Sequence, residues 1–223
     1  MKRIKLADRK LPTYSKGEEI MNMVTHIVGG SVGIVALILC LIKVLPRGSV
    51  ADITGVLIYG ISMIALYSVS SVYHGLRSCA AKKVMQVIDH CTIYFLIAGT
   101  YTPILLSAFL PVYPVIGWGL LAAEWLLCAL ATTLTAIDLK KYTVFSMICY
   151  IGMGWCIVFF LPQCIEVMTR EGFYLLLAGG IAYTVGAILY GIGAKKPWIH
   201  SVFHIFVVIG SVLQFLSILI YAL

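Results

Sequence analysis

The sequence predicts an all-α fold, an integral membrane bundle of seven transmembrane helices with a cytoplasmic N-terminus and the C-terminus outside. Three observations predict it. Of the 223 residues, 61% are hydrophobic and 11% charged, and the mean hydropathy is +1.03, values outside the range of soluble domains. Seven stretches approach the roughly 20 apolar residues that a helix needs to cross hydrocarbon. Lysine and arginine gather in alternate connections, the bias that marks cytoplasmic loops.

The spans are expected near residues 23–42, 54–76, 88–109, 114–136, 142–162, 172–194 and 198–221. Residues 1–22 then form a cytoplasmic N-terminal segment and 23–223 a single transmembrane domain. Gly29 and Gly33 in span one have the small-xxx-small spacing that lets helices approach closely. Spans three and four form one nearly charge-free block divided by "PVYP" at 111–114, where two prolines break the helical ladder and set a tight turn. The charge count fixes the orientation. Lys2, Arg3, Lys5, Arg9, Lys10 and Lys16 precede span one, and Arg77, Lys82, Lys83, Lys140, Lys141, Lys195 and Lys196 fall on the same side, thirteen in all. Only Lys43, Arg47 and Arg170 fall opposite.

The net charge of +7 lies in these short clusters and not along one amphipathic face, so the expected partners are membrane lipids and no nucleic acid. Apolar stretches recur along the whole length, which argues against a single cleaved signal and for a multi-pass protein of the cell membrane. The seven cysteines (Cys40, Cys79, Cys91, Cys128, Cys149, Cys156, Cys164) contain no CxxC spacing and read as small buried hydrophobes.

Orientation assigns a depth to each polar residue. Span one enters from the cytoplasm through "EEIMNMVTH", with Glu19, Asn22 and His26 on one helical face. Span two leaves through "SVSSVYHGL", with Ser70 and His74 four apart; span three enters with Asp89 and His90; span seven enters with His200 and His204. All lie within roughly two turns, about 10 Å, of the cytoplasmic boundary. Histidines at i and i+4 with a third from a neighbouring helix can hold one zinc ion and leave a fourth tetrahedral position open, a pattern that His200, His204 and His74 fit. The alternative is ordinary core histidines, but ionisable groups in hydrocarbon need partners. Asp89 could accept a proton from water beside such an ion, or complement a helix N-terminus. Ser70 could hydrogen-bond at the site or bond back to its own helix.

"EEIMNMVTH", the Ser70–His74 pair, "IDHCTIYFLIAGTYTP" at 88–103 and "HSVFH" at 200–204 together resemble, in this order, the bacterial hemolysin III-like branch of the progestin and adipoQ receptor family. The resemblance covers essentially the whole chain. It implies a seven-helix membrane protein with zinc on His74, His200 and His204 and with Asp89 and Ser70 beside it. Glu19, Asn22 and His26 match the first-helix motif, with helix entry, support behind the ligands and a direct part in the chemistry all open to them. His90 points about 100° from Asp89 on its helix and reads as packing or support. Glu124, near the middle of span four, is expected to face the bundle, protonated or bonded to a neighbour such as Tyr or Thr.

Three functions follow from this reading. The first is a zinc-dependent hydrolase of lipid amides or esters serving membrane lipid homeostasis, with Asp89 and Ser70 catalytic. The second is a non-enzymatic, receptor-like or membrane-homeostasis protein with structural zinc. The third, the cytolysin that the family's name suggests, sits poorly with seven apolar spans.

Overall fold

The computed structural model describes residue 6, residues 8–193 and residues 196–223; Lys2, Arg3, Lys5 and Lys195 of the charge count lie outside these. Every regular element among the described residues is helical: α1 (Lys16–Val44), α2 (Val50–Gly75), α3 (Ala80–Pro103), α4 (Pro114–Ile137), α5 (Thr143–Trp155), α6 (Leu161–Gly193) and α7 (Ile199–Ser217). Among the described residues, six helical stretches are long and apolar enough to cross a membrane.

The count of six arises because Thr143–Gly193 is one helical run. Gln163, Glu166, Arg170 and Glu171 suggest a loop between spans five and six, but only Thr169 leaves the helical region, at φ 63 and ψ 169. A β-branched residue is strained there. Its hydroxyl donates to Glu171 Oε2 at 2.8 Å, which holds the break open. The N-terminal boundary also moves. Ser15 and Glu18 form a capping box, Ser15 N–H donating to Glu18 Oε2 at 2.8 Å and Glu18 N–H to Ser15 Oγ at 3.3 Å, so α1 begins at Lys16 and a division between 22 and 23 falls inside it. These caps satisfy donors that a helix start otherwise leaves unpaired. Past Pro103 the backbone widens into a π-helical turn, Ile104–Phe109, where proline lacks the N–H that a regular ladder requires. The turn at 111–113 follows as predicted.

α1 packs on α2 and α7, α2 on α3, α3 on α4, and α6 on α7, while Ile34, Ile38, Ile42, Leu126, Leu130, Ile148 and Phe159 face outward, where a bilayer would meet them. Glycine allows two of the tight approaches. A Cβ on Gly29 would fall 2.4 Å from the Tyr67 ring, and one on Gly55 would fall 2.9 Å from the main chain of Pro103. The second neighbour is backbone and cannot swing aside. Gly55→Ala is therefore expected to cost about 1–3 kcal/mol, and Gly119→Ala, with nothing within 4 Å, almost none. Thermal unfolding of the detergent-solubilised variants compares them.

The cysteines are all free, and Cys40, Cys91, Cys128, Cys149 and Cys164 are buried while Cys79 is exposed. Glu124 is buried in α4, but its partner differs from the expectation: Cys156 Sγ donates to its Oε1 at 3.1 Å, and Oε2 has no partner among the described residues.

Candidate metal centre

The starts of α1, α3 and α7 and the end of α2 meet at one end of the bundle. At that end His74, His200 and His204, all buried, present ligand nitrogens that lie within 4.8 Å of one another. Nε2 of His200 and Nε2 of His204 are 3.1 Å apart. Two nitrogens sharing one tetrahedral ion at about 2.0–2.1 Å would stand about 3.3–3.4 Å apart, a small displacement. His74 Nε2 is buried and has no partner among the described residues. An orphaned imidazole nitrogen facing two converging ones suits a shared cation, and three neutral imidazoles are a donor set for zinc and other transition metals.

The surrounding residues set each ring. Nδ1 of His74 sits 2.7 Å from Glu19 Oε2; donating there leaves the Nε2 lone pair for an ion, the carboxylate–histidine arrangement common behind metal ligands. Glu19 Oε1 in turn accepts from Lys82 Nζ at 2.5 Å. Lys82 also donates to the Leu76 carbonyl at 3.0 Å and lies 5.1 Å from the centre of the Tyr73 ring. It is thus a buried partner of the site and not an interfacial charge. Asn22 Nδ2 lies 3.4 Å from the same His74 Nδ1, and Asn22 Oδ1 accepts from Ser201 Oγ at 2.6 Å. His26 stacks on His204 with ring centres 3.8 Å apart and meets Tyr67 edge-on at 5.0 Å. Removing the Glu19 charge should loosen the ligand it holds. Glu19→Gln is expected to weaken zinc binding by about 10–100-fold, read by competition with a chelating indicator, with Lys82→Met falling between it and the parent protein.

Ser70 lies close to the Asp89 carboxylate, and both line the cavity that His200 and His204 face. Asp89 therefore stands beside the histidine cluster and outside its ligand set. His90 is held by the Gln86 carbonyl at 2.8 Å and the Tyr190 hydroxyl at 3.1 Å, a supported wall residue. The cavity measures about 1340 Å³, above the 300–1,000 Å³ usual for small-molecule sites, and runs on past the histidines to Ile97, Ile104, Phe173 and Val207.

Tyr14, Glu18 and Trp198 escaped the sequence reading. Tyr14 stacks on His200 at 4.8 Å and 18°; burial and neighbouring acidic groups push its phenol above the usual range. Glu18 accepts the Trp198 N–H at 2.7 Å, and Trp198 has a left-handed φ of 64, so an α1 carboxylate sets the direction in which α7 starts. For Glu18 a signal existed, the Ser-x-x-Glu spacing of a capping box. Tyr14 lies in irregular chain, where no periodicity operates.

A family profile described as Haemolysin-III related matches residues 14–215. The chain is 38% identical over 206 residues to Hemolysin-3 of Bacillus cereus, covering 92% of each protein. It is 37% identical over 204 residues to the Hemolysin-3 homolog of Bacillus subtilis (strain 168), covering 92% of this chain and 94% of that one. It is also 28% identical over 171 residues to the human monocyte to macrophage differentiation factor, covering 72% of this chain and 67% of that protein.

Proposed function

Since the chain belongs to the haemolysin-III-related family, the bacterial branch of the progestin and adipoQ receptor family, we propose that it is a zinc-dependent hydrolase of lipid amides or esters serving membrane lipid homeostasis at the plasma membrane. The observation that supports this most is a cavity lined by His200 and His204, two of the three clustered histidines, together with Ser70 and Asp89 at the head of a mainly apolar chamber. In this reading the chain crosses the bilayer seven times, with the break at Thr169 dividing two crossings, and its N-terminus is cytoplasmic, as its charge bias suggests.

Zinc held by His74, His200 and His204 would supply Lewis-acid polarisation of a carbonyl and acidify a water molecule. The chain's own groups do the rest. Asp89 takes the proton from the attacking water and returns it to the departing amine or alcohol. Ser70, close to Asp89 on the cavity wall, orients that carboxylate. Glu19 holds the His74 ring in place, and Asn22 joins α1 to α7 beside the ligands through Ser201. The apolar chamber seats the acyl chain and keeps bulk water from the scissile bond. Release of fatty acid from a panel of lipid amides and esters by zinc-loaded protein tests this; stoichiometric zinc with no release from any of them contradicts it.

The same cluster supports a second reading, a non-enzymatic membrane-homeostasis protein, because an ion there would tie α2 to α7 across the end of α1. In that case Asp89→Ala would leave the cellular phenotype intact. The third reading takes up the name of the Bacillus relatives and predicts lysis of erythrocytes by purified protein added from solution.

A further inference from the structure

The cavity changes character along its length, and the chain running into and along α7 displays the order: Lys196 lines the rim, His200 and His204 the waist, and Val207 and Gln214 the depth. Gln214 lies about 15 Å along the helix from His204. On α3, Asp89 precedes Ile93, Ile97 and Ile104 in the same sense. A cationic rim, a polar waist and a depth that is mainly apolar, Gln214 apart, match the profile of an amphiphile with a negative head.

The rim is cationic in excess. Arg9, Lys10, Lys140 and Lys196 reach it from three separate segments, with Asp8 beside them. Glu18, further in, is committed to the N–H groups of Ser15 and Trp198. None of the four cations forms an ion pair among the described residues. Arg9 Nη1 is withdrawn from solvent with no hydrogen-bond partner among them, which for a guanidinium donor is costly unless a ligand completes it. Lys82, at the same end of the bundle but off the cavity, is paired to Glu19. Topology alone accounts for cations at this end; it does not account for unpaired ones surrounding the mouth of one cavity.

We propose that this rim binds a phosphate monoester, the head of a single-chain lipid whose acyl chain occupies the apolar depth. Arginine and lysine from separate segments can surround such a group, the guanidinium by two parallel hydrogen bonds. This deepens the hydrolase reading and rests on it for the waist, where the lipid's carbonyl linkage would lie. The binding itself needs only the rim and the depth.

The test uses the full chain with its metal in neutral detergent, with binding read by native mass spectrometry. Lysophosphatidic acid is compared with lysophosphatidylcholine of equal acyl length. The expected preference for the former is about tenfold or more. Arg9→Gln/Lys140→Gln/Lys196→Gln should abolish the preference. Lys16→Gln/Arg77→Gln/Lys141→Gln removes equal charge from the same end without touching the cavity lining, and should preserve it. Displacement of the lipid by excess inorganic phosphate supports a phosphate site in the rim. Equal binding of the two lysolipids, or equal loss in both triple variants, overturns the proposal; inorganic phosphate binding with the lysolipids undistinguished overturns the lipid assignment. Because binding is measured, a protein that hydrolyses nothing still decides the matter, and turnover of neutral lipids without the preference would spare the hydrolase reading alone.

Discussion

The Asp89→Asn protein is expected to keep its metal and its melting temperature while losing about 10²–10⁴-fold in lipid hydrolysis. Asparagine preserves the shape of the side chain that Ser70 engages and removes only the ability to take a proton. Asp89 is not among the three residues whose nitrogens converge, so its replacement should leave metal affinity close to that of the parent. Turnover and metal content measured on one preparation separate the two effects. Unchanged turnover would remove Asp89 from the chemistry, and lost metal would make it a ligand.

Replacing both α7 histidines is expected to have the larger effect on stability. His200 and His204 are buried on the face of α7 turned to α1 and α2, and an ion shared with His74 would couple those helices. Binding at a thousandfold above Kd adds about 4 kcal/mol. A chelator should therefore lower the melting temperature of the wild-type protein by several degrees, and should have no effect on His200→Ala/His204→Ala, whose melting temperature is already reduced. A chelator effect that survives in the double variant would place the stabilising ion elsewhere.

The histidine cluster was legible because two weak signals coincide. An HxxxH spacing says little by itself, but the lysine and arginine count assigned His74, His200, His204, Ser70 and Asp89 one depth; the helices bring the nitrogens of the three histidines within 4.8 Å of one another, and His200, His204, Ser70 and Asp89 line one cavity. What escaped were features that depend on tertiary contacts. Lys82 counts as an interfacial cation by its neighbours in sequence, yet the start of α3 turns it inward to Glu19. The polar residues from Gln163 to Glu171 resemble a loop in hydropathy, although a single non-helical residue suffices to break the run. Glu124 found a thiol from the segment after α5, a pairing that no local pattern encodes. The placement of Tyr14 over His200 follows from how an irregular segment lies across the end of the bundle, which periodicity does not reach.

The central claim is that His74, His200 and His204 hold one zinc ion, and elemental analysis of the purified protein tests it most directly. Wild-type protein is predicted to contain roughly one zinc per chain, and His200→Ala/His204→Ala less than about a tenth of that, since loss of two of three ligands leaves no closed site. Roughly one zinc per chain retained in the double variant would contradict the claim.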